Sequence, residues 1–129
     1  MKEKRLKVLV VDDEKSVRDF FGEFLKRKEA DVAFADNGRS AVDEAYKNHY
    51  DLIFMDIVLP EIHGVQAYEK IKELGQKIPV VMMTGYAGEE LIKRARKDGV
   101  KAVLKKPFTL KEVEMVYDEV VKSNEVMGS

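Results

Sequence analysis

The sequence contains no cysteine or tryptophan, and only two histidines and three prolines among its 129 residues. The absence of cysteine excludes disulfide bonds, a thiolate nucleophile and any cysteine-ligated metal site. His49 and His63 lie too far apart in the sequence to show the spacing of a local zinc motif. The chemistry of the chain must therefore be sought in its acidic, basic and hydroxyl side chains.

Long apolar runs and an excess of charge of either sign are also missing. No apolar stretch approaches the roughly 20 residues that span a bilayer. Residues 2–5 are charged and lead into a strand pattern rather than the apolar centre of a signal peptide. The net charge is −1, so no overall field attracts nucleic acid or anionic lipid. We therefore expect a cytoplasmic protein that binds neither nucleic acid nor membrane directly.

What the sequence does contain is a regular alternation of two patterns. Short apolar runs typical of buried strands are each followed by apolar residues at helical spacing. The predicted strands are 6–11, 31–35, 51–55, 79–83 and 101–105, and Thr109 with Glu112 forms a capping box before the last helix. This alternation predicts an α/β fold of the doubly wound, flavodoxin-like class: a five-stranded parallel sheet, order 2-1-3-4-5, flanked by five helices. We expect a single domain with its core at about 6–122 and a polar tail at 123–129.

Chemically active residues come at the ends of the predicted strands. Asp12 and Asp13 follow the first strand, Asp56 the third, Thr84 the fourth and Lys106 the fifth. The carboxyl ends of parallel strands share one edge, where open α/β sheets bind ligands. Three neighbouring carboxylates repel one another, and a hard cation such as Mg²⁺ relieves that repulsion. Asp56 stands alone on its strand and is a candidate nucleophile that forms an acyl phosphate, with a lysine and a hydroxyl to stabilise the phosphoryl group.

At these residues the chain resembles a response-regulator receiver domain, the phosphoacceptor half of two-component signal transduction. The resemblance runs from about residue 7 to residue 122. Any one of its motifs is weak evidence, but all of them occur in order and each lies at a strand end. They are VVDDE at 10–14, MDIVLP at 55–60 followed by Gly64, VMMTG at 81–85 and KPF at 106–108.

The resemblance implies that Asp56 accepts a phosphoryl group from a histidine kinase or a phosphotransfer protein. It implies a Mg²⁺ ion held by Asp13, Asp56 and the main-chain carbonyl of Val58, with Asp12 bound through water. The domain would catalyse its own phosphorylation and dephosphorylation but would turn over no separate metabolite, so it is not expected to be an enzyme in the usual sense.

Further expectations follow from the resemblance. Lys106 pairs with the phosphoryl group, while Lys105 lies on the other face of the strand. The Lys106–Pro107 peptide bond is cis, and Thr84 contacts the phosphoryl group. The output partner or effector domain would meet the face formed by the fourth helix, fifth strand and fifth helix.

The sequence departs from the family at one switch position. Val103 stands where the family often has an aromatic residue that couples to Thr84. Tyr86, two residues after Thr84, is the nearest candidate to report loop movement instead. Val58 and Tyr86 also flank the phosphorylation site in the family arrangement, and their bulk predicts a persistent phosphorylated state.

Other readings of the same residues remain open at this stage. Acidic residues at 12–14 also suit the positive end of a helix dipole without any ligand. A phosphatase or hydrolase would use Asp56 on an outside substrate, but the short connections leave no room for a substrate-binding cap. A flavin or nucleotide carrier would need a phosphate loop of opposite charge after the first strand. A receiver-like module could also bind partners without phosphorylation.

Overall fold

The computed structural model describes residues 5–85 and 88–128, with side chains described up to residue 123. Strands and helices alternate, and the five strands form one parallel sheet in the order β2-β1-β3-β4-β5. The predicted fold class and strand order are confirmed. The elements are β1 (Lys7–Val11), α1 (Lys15–Arg27), β2 (Asp31–Ala35), α2 (Gly38–Lys47), β3 (Leu52–Asp56), α3 (Gly64–Glu73), β4 (Val80–Thr84), α4 (Glu89–Asp98), β5 (Ala102–Lys105) and α5 (Leu110–Gly128).

The sheet separates two apolar cores because successive side chains of a strand point to opposite faces. In β1, Leu9 packs into the core under α2, α3 and α4, whereas Val8 packs into the core under α1 and α5. All five residues of β3 and of β4 are buried, as expected for central strands covered on both faces. The edge strand β2 is more exposed, which agrees with its weaker apolar pattern.

The last helix is longer than the sequence analysis indicates. The capping box forms as predicted, with the Thr109 hydroxyl accepting from the Glu112 N–H at 3.1 Å and the Glu112 carboxylate accepting from the Thr109 N–H at 3.0 Å. From this start α5 runs to Gly128, past Lys122, where the polar tail was expected to begin. No glycine or proline interrupts residues 110–127, so the local sequence contains nothing that stops a helix.

Candidate functional site

The turn between β1 and α1 holds Asp12 through all of its polar groups. The Asp12 N–H donates to the Ala35 carbonyl at 3.1 Å. Its Oδ1 accepts from the Glu14 N–H at 2.9 Å, and its main-chain carbonyl accepts from the Arg18 guanidinium at 2.9 Å. The Asp12 side chain is fully buried, whereas Asp13 is exposed to solvent. One carboxylate of this pair is therefore fixed inside the domain and the other faces outward at the same turn.

Asp56 is the last residue of β3 and is only 5% exposed. Its Oδ1 accepts from the Val58 N–H at 2.9 Å, which sets the orientation of the carboxylate. Asp12, Asp13 and Asp56 each place one carboxylate oxygen within 4.8 Å of the others. The three acids that the sequence places at one edge of the sheet are thus brought together, and they could hold a metal ion.

Lys106 follows β5 and bridges two of these acids. Its Nζ lies 2.7 Å from Asp12 Oδ2 and 2.6 Å from Asp56 Oδ2. A third and longer contact of 3.3 Å joins it to Glu14, a contact that the sequence analysis did not anticipate. The peptide bond from Lys106 to Pro107 is cis, as the resemblance implies. Lys106, and not the exposed Lys105, is therefore the lysine that faces the acidic cluster.

Burial and ion pairing act against each other at this edge. Burial raises the pKa of Asp56, and the hydrogen bonds from Lys106 and the Val58 amide oppose that rise without cancelling it. For Lys106 burial alone would lower the pKa, but its hydrogen bonds to Asp12 and Asp56 outweigh burial and raise it. Lys106 is consequently held as a cation between the two buried carboxylates.

Thr84, at the end of β4, is the neighbouring hydroxyl. The residue is buried, and its Oγ1 has no hydrogen-bond partner among the residues that the structure describes. A buried hydroxyl without a partner destabilises a fold by about 1–3 kcal/mol. The main chain here is anchored, since the Thr84 carbonyl accepts from the Lys106 N–H at 2.8 Å. The three carboxylates fit a divalent cation. The ammonium and the unpartnered hydroxyl fit an anionic group whose oxygens accept hydrogen bonds.

The loop after Asp56 is held by two close backbone approaches. A Cβ at Gly64 would lie 2.2 Å from the Asp56 carbonyl oxygen, and a Cβ at Gly38 would lie 2.1 Å from the Ile62 carbonyl oxygen. The Gly64 N–H also donates to the Ile57 carbonyl at 2.7 Å. Neither approach leaves room for a side chain, so both glycines fix the path of the loop that leaves the site.

His63 caps the helix that follows this loop. Its Nδ1 accepts from the Gln66 N–H at 3.1 Å at the start of α3. A capping role for His63 was not predicted, because serine, threonine, aspartate and asparagine are the usual capping residues. The contacts of Glu14 with Lys106 and of Arg18 with the Asp12 carbonyl were not predicted for a different reason: they depend on how the elements pack around the turn, which no short motif encodes.

The residues proposed to control switching and access have different surroundings. Val58 is 53% exposed, two residues after Asp56, to which its N–H donates. Val103 is half-buried, pairs with Met82 of β4 and packs against the core under α3 and α4. Tyr86 lies outside the described residues.

A sequence model described as the response regulator receiver domain matches residues 8–117. The chain belongs to the response-regulator receiver family. Among curated relatives, the transcriptional regulatory protein SrrA of Staphylococcus aureus is 33% identical over 106 residues, which is 82% of this chain and 44% of that protein. The receiver chain thus spans less than half the length of these relatives.

Solved receiver structures have the same architecture. A two-component response regulator from Clostridium difficile is 27% identical with a TM-score of 0.84, covering 92% of this chain and 97% of that one. The receiver domain of a LuxO repressor protein from Vibrio parahaemolyticus has a TM-score of 0.90 at 21% identity, covering 97% and 96% of the two chains, and shows the fold alone. A CheY-like receiver from Methanospirillum hungatei shows the fold likewise, with a TM-score of 0.86 at 23% identity over 95% of this chain and 98% of that one.

Membership places the chain in two-component signalling, as a receiver domain of a response regulator. Domains of this class generally signal and do not turn over a separate substrate. Within the part of the chain that the structure describes, no helix is both long enough and apolar enough to cross a membrane.

Proposed function

We propose that this receiver domain is a Mg²⁺-dependent phosphoacceptor switch in which Asp56 takes a phosphoryl group from a histidine kinase or a phosphotransfer protein. The observation that carries the proposal is the cluster of Asp12, Asp13 and Asp56, whose oxygens lie within 4.8 Å of one another. The Lys106 ammonium lies beside this cluster, and the buried Thr84 hydroxyl has no hydrogen-bond partner among the described residues. Nucleophile, cation ligands and donors to the phosphoryl oxygens are therefore available at one edge of the sheet.

The metal ligands in this proposal are Asp13, Asp56 and the main-chain carbonyl of Val58, with Asp12 bound through a water molecule. Carboxylate and carbonyl oxygens are the donors that a hard cation prefers. When bound, Mg²⁺ supplies neutralisation of the charge on the phosphoryl oxygens. It also relieves the repulsion among carboxylates that Lys106 alone balances only in part.

In the transfer itself, one carboxylate oxygen of Asp56 attacks the phosphorus of the donor's phosphohistidine. The new O–P bond forms as the P–N bond breaks, and the electron pair of the P–N bond returns to the donor's imidazole ring. The Val58 amide, at 2.9 Å from Oδ1, keeps the Asp56 carboxylate oriented. Lys106 and Thr84 then donate to the oxygens of the transferred group, where charge develops during the reaction.

Loss of the phosphoryl group completes the cycle at the same site and involves no separate metabolite. Val58, which is 53% exposed, is proposed to hinder the attacking water together with Tyr86. We expect a Val58→Asn, Tyr86→Ala double variant to lose its phosphoryl group faster than the wild type. Radiolabel or mass measurements after removal of the donor would check this, and slower loss from the double variant would contradict it.

The signalling step is proposed to be a shift in population between two arrangements of the connection after β4 and of α4. Val103 has no aromatic ring that could couple to Thr84 after phosphorylation. We therefore propose that Tyr86 responds to the movement of this connection instead. The output contact is proposed to involve α4, β5 and α5 and either an effector domain or a separate partner. The relatives named as transcriptional regulators extend well beyond the matched region, which supports an effector of that kind without identifying it.

Intact mass after incubation with acetyl phosphate tests the central claim. We expect a single phosphoryl adduct on the wild type that requires Mg²⁺ and is absent from Asp56→Asn. Asp36→Asn is the matched control, because Asp36 is an exposed acid that follows the edge strand β2, and its replacement should leave the adduct unchanged. An adduct that persists in Asp56→Asn, or none in the wild type while Mg²⁺ binds, would contradict the proposal.

A further inference from the structure

Arg18 makes a contact with the acidic turn that the proposed chemistry does not use. Its guanidinium projects from α1 and donates to the main-chain carbonyl of Asp12 at 2.9 Å. Arg18 is itself held in the helix, since its N–H donates to the Glu14 carbonyl at 3.2 Å. The side chain is half-buried beside a cavity of about 320 Å³ that Asp36 and Glu44 also line. A side chain of α1 is thereby hydrogen-bonded to the backbone of the turn that carries two of the three acids.

The carbonyl that Arg18 holds belongs to the peptide unit joining Asp12 to Asp13. A peptide unit is planar, so fixing the direction of its carbonyl oxygen also fixes the direction in which the next residue leaves. Asp12 is already anchored by its N–H and by both of its carboxylate oxygens. Asp13 is exposed, and its position follows from the orientation of that plane.

Arg18 differs in this respect from Lys106, the other cation at the turn. Lys106 contacts carboxylate oxygens of Asp12 and Asp56, so it occupies oxygens in the same acidic cluster that would hold a cation. Arg18 contacts a main-chain carbonyl and leaves the carboxylate oxygens of the cluster to other partners. Its hydrogen bond is compatible with a bound cation.

We propose that Arg18 is a positioning residue for the divalent-cation site, because its grip on the Asp12 carbonyl sets the placement of Asp13 relative to Asp12 and Asp56. The inference rests on the proposed function, since it requires a cation at this cluster. Groups that orient metal ligands from outside the ligand set typically change metal affinity by about 10- to 100-fold when removed. For Arg18 we expect a loss of affinity at the lower end of that range, since Asp12 keeps its other hydrogen bonds.

The sign of the effect separates positioning from simple charge. Removing a positive charge close to the acidic cluster removes its Coulomb repulsion of the metal ion, which should strengthen Mg²⁺ binding. Loss of a positioning contact should weaken it. Arg18→Met removes the charge and the donors and keeps an apolar stem, whereas Arg18→Lys keeps the charge without the planar fork of donors. Lys15→Met is the matched control, because Lys15 is exposed on the same helix and pairs at the surface with Asp19.

The experiment is a calorimetric titration of each variant with Mg²⁺, without phosphodonor. We expect Arg18→Met to raise the dissociation constant about 10-fold. Arg18→Lys should fall between it and the wild type, while Lys15→Met stays equal to the wild type or binds slightly more tightly. Phosphorylation by acetyl phosphate should be impaired more at low than at saturating Mg²⁺, and urea unfolding in EDTA separates this effect from a loss of stability.

Unchanged or tighter Mg²⁺ binding by a folded Arg18→Met would overturn the inference, as would an equal weakening in Lys15→Met. Asp13→Asn is titrated alongside. If the wild type and Asp13→Asn bind Mg²⁺ equally, the ligand set is wrong and both the proposed function and the inference fall. If Asp13→Asn loses binding and Arg18→Met does not, only the inference falls.

Discussion

The two halves of the carboxyl edge are built differently. In the first half, comprising the β1–α1 turn and the β3–α3 loop, every polar group of Asp12 is bonded and the backbone at Gly64 approaches the Asp56 carbonyl too closely for a side chain. In the second half, where β4 leads to α4, the described residues offer no hydrogen-bond partner to the Thr84 hydroxyl and no atom within 4 Å of a Cβ at Gly88. The described residues of the first half are thus held more firmly than those of the second.

The same contrast continues into the helices. In α1, Phe21, Phe24 and Leu25 are buried, and Phe21 packs on Phe54 with ring centroids 4.7 Å apart. In α4, all of whose residues are described, Ala95 is the one buried residue. Elements with little buried apolar surface open at low free-energy cost. The comparison indicates that the acidic cluster is held by a stable framework, whereas α4 is lightly held. In the proposed function, the response to phosphorylation therefore falls to α4.

Polar contacts compensate in part for the thin packing of α4. The Arg94 guanidinium forms a two-point contact with the Glu69 carboxylate of α3. Tyr68 and Lys72 donate to the Asp98 carbonyl at 3.2 Å and 2.6 Å. Such contacts are directional and individually weak at a surface, so they hold α4 in one place without the large free energy of a buried face.

The largest expected effect comes from breaking the fixed half. Gly64→Ala would place a methyl group 2.2 Å from the Asp56 carbonyl oxygen, and we expect a loss of about 3 kcal/mol or more in the free energy of unfolding. Gly88→Ala, at an open site with φ of −65°, should change it by less than about 1 kcal/mol. Urea denaturation measures both. Equal losses in the two variants would remove the contrast between the halves.

A smaller effect on the free energy of unfolding is expected at Thr84. Most substitutions of buried residues destabilise a protein, whereas this one should not. Thr84→Val removes a buried hydroxyl that has no partner among the described residues, so the unphosphorylated protein should be unchanged or more stable by up to about 1–2 kcal/mol. Thr109→Val is the matched control: it removes a hydroxyl that caps α5 and should cost about 1 kcal/mol. Denaturation without Mg²⁺ or phosphodonor is the measurement. Equal destabilisation by the two substitutions would mean that the Thr84 hydroxyl is already satisfied.

The smallest effect concerns the tether of α4. The hydrogen bond from Arg94 and, to a lesser extent, the hydrogen bond with Asp98 lower the pKa of Glu69 from 4.5 to about 2. A carboxylate with a lowered pKa stabilises the fold above its unfolded pKa, and this stabilisation is lost as the pH falls from about 4.5 towards 2. Because the pair is partly exposed, Glu69→Gln should cost at most about 1 kcal/mol at neutral pH and nothing near pH 2.

Thermal unfolding from pH 2 to pH 7 would test this prediction. Asp19→Asn, which breaks an exposed pair with Lys15, gives the same change of charge on a helix with a well-buried face. A Glu69→Gln difference that is independent of pH would show that the carboxylate charge does not hold α4.

Much of the fold was predictable because its signals are local. Buried strands and amphipathic helices follow from the spacing of apolar residues, and the capping box at Thr109 follows from two residues three positions apart. The end of α5 was not predictable in the same way. Polar composition after Lys122 indicates a tail, but composition does not break a helix where no glycine or proline is present.

In the candidate site too, some features were predictable from local sequence and others were not. The sequence by itself determined which residues reach the edge of the sheet, since Asp12, Asp56, Thr84 and Lys106 all lie at or just beyond strand ends. Only the tertiary structure decided that Lys106 bridges Asp12 and Asp56, across 94 and 50 positions of the chain. It also decided that Arg18 holds the Asp12 carbonyl. The physical reason is that a repeating pattern fixes where a strand ends, whereas a hydrogen bond between distant residues depends on how the elements pack.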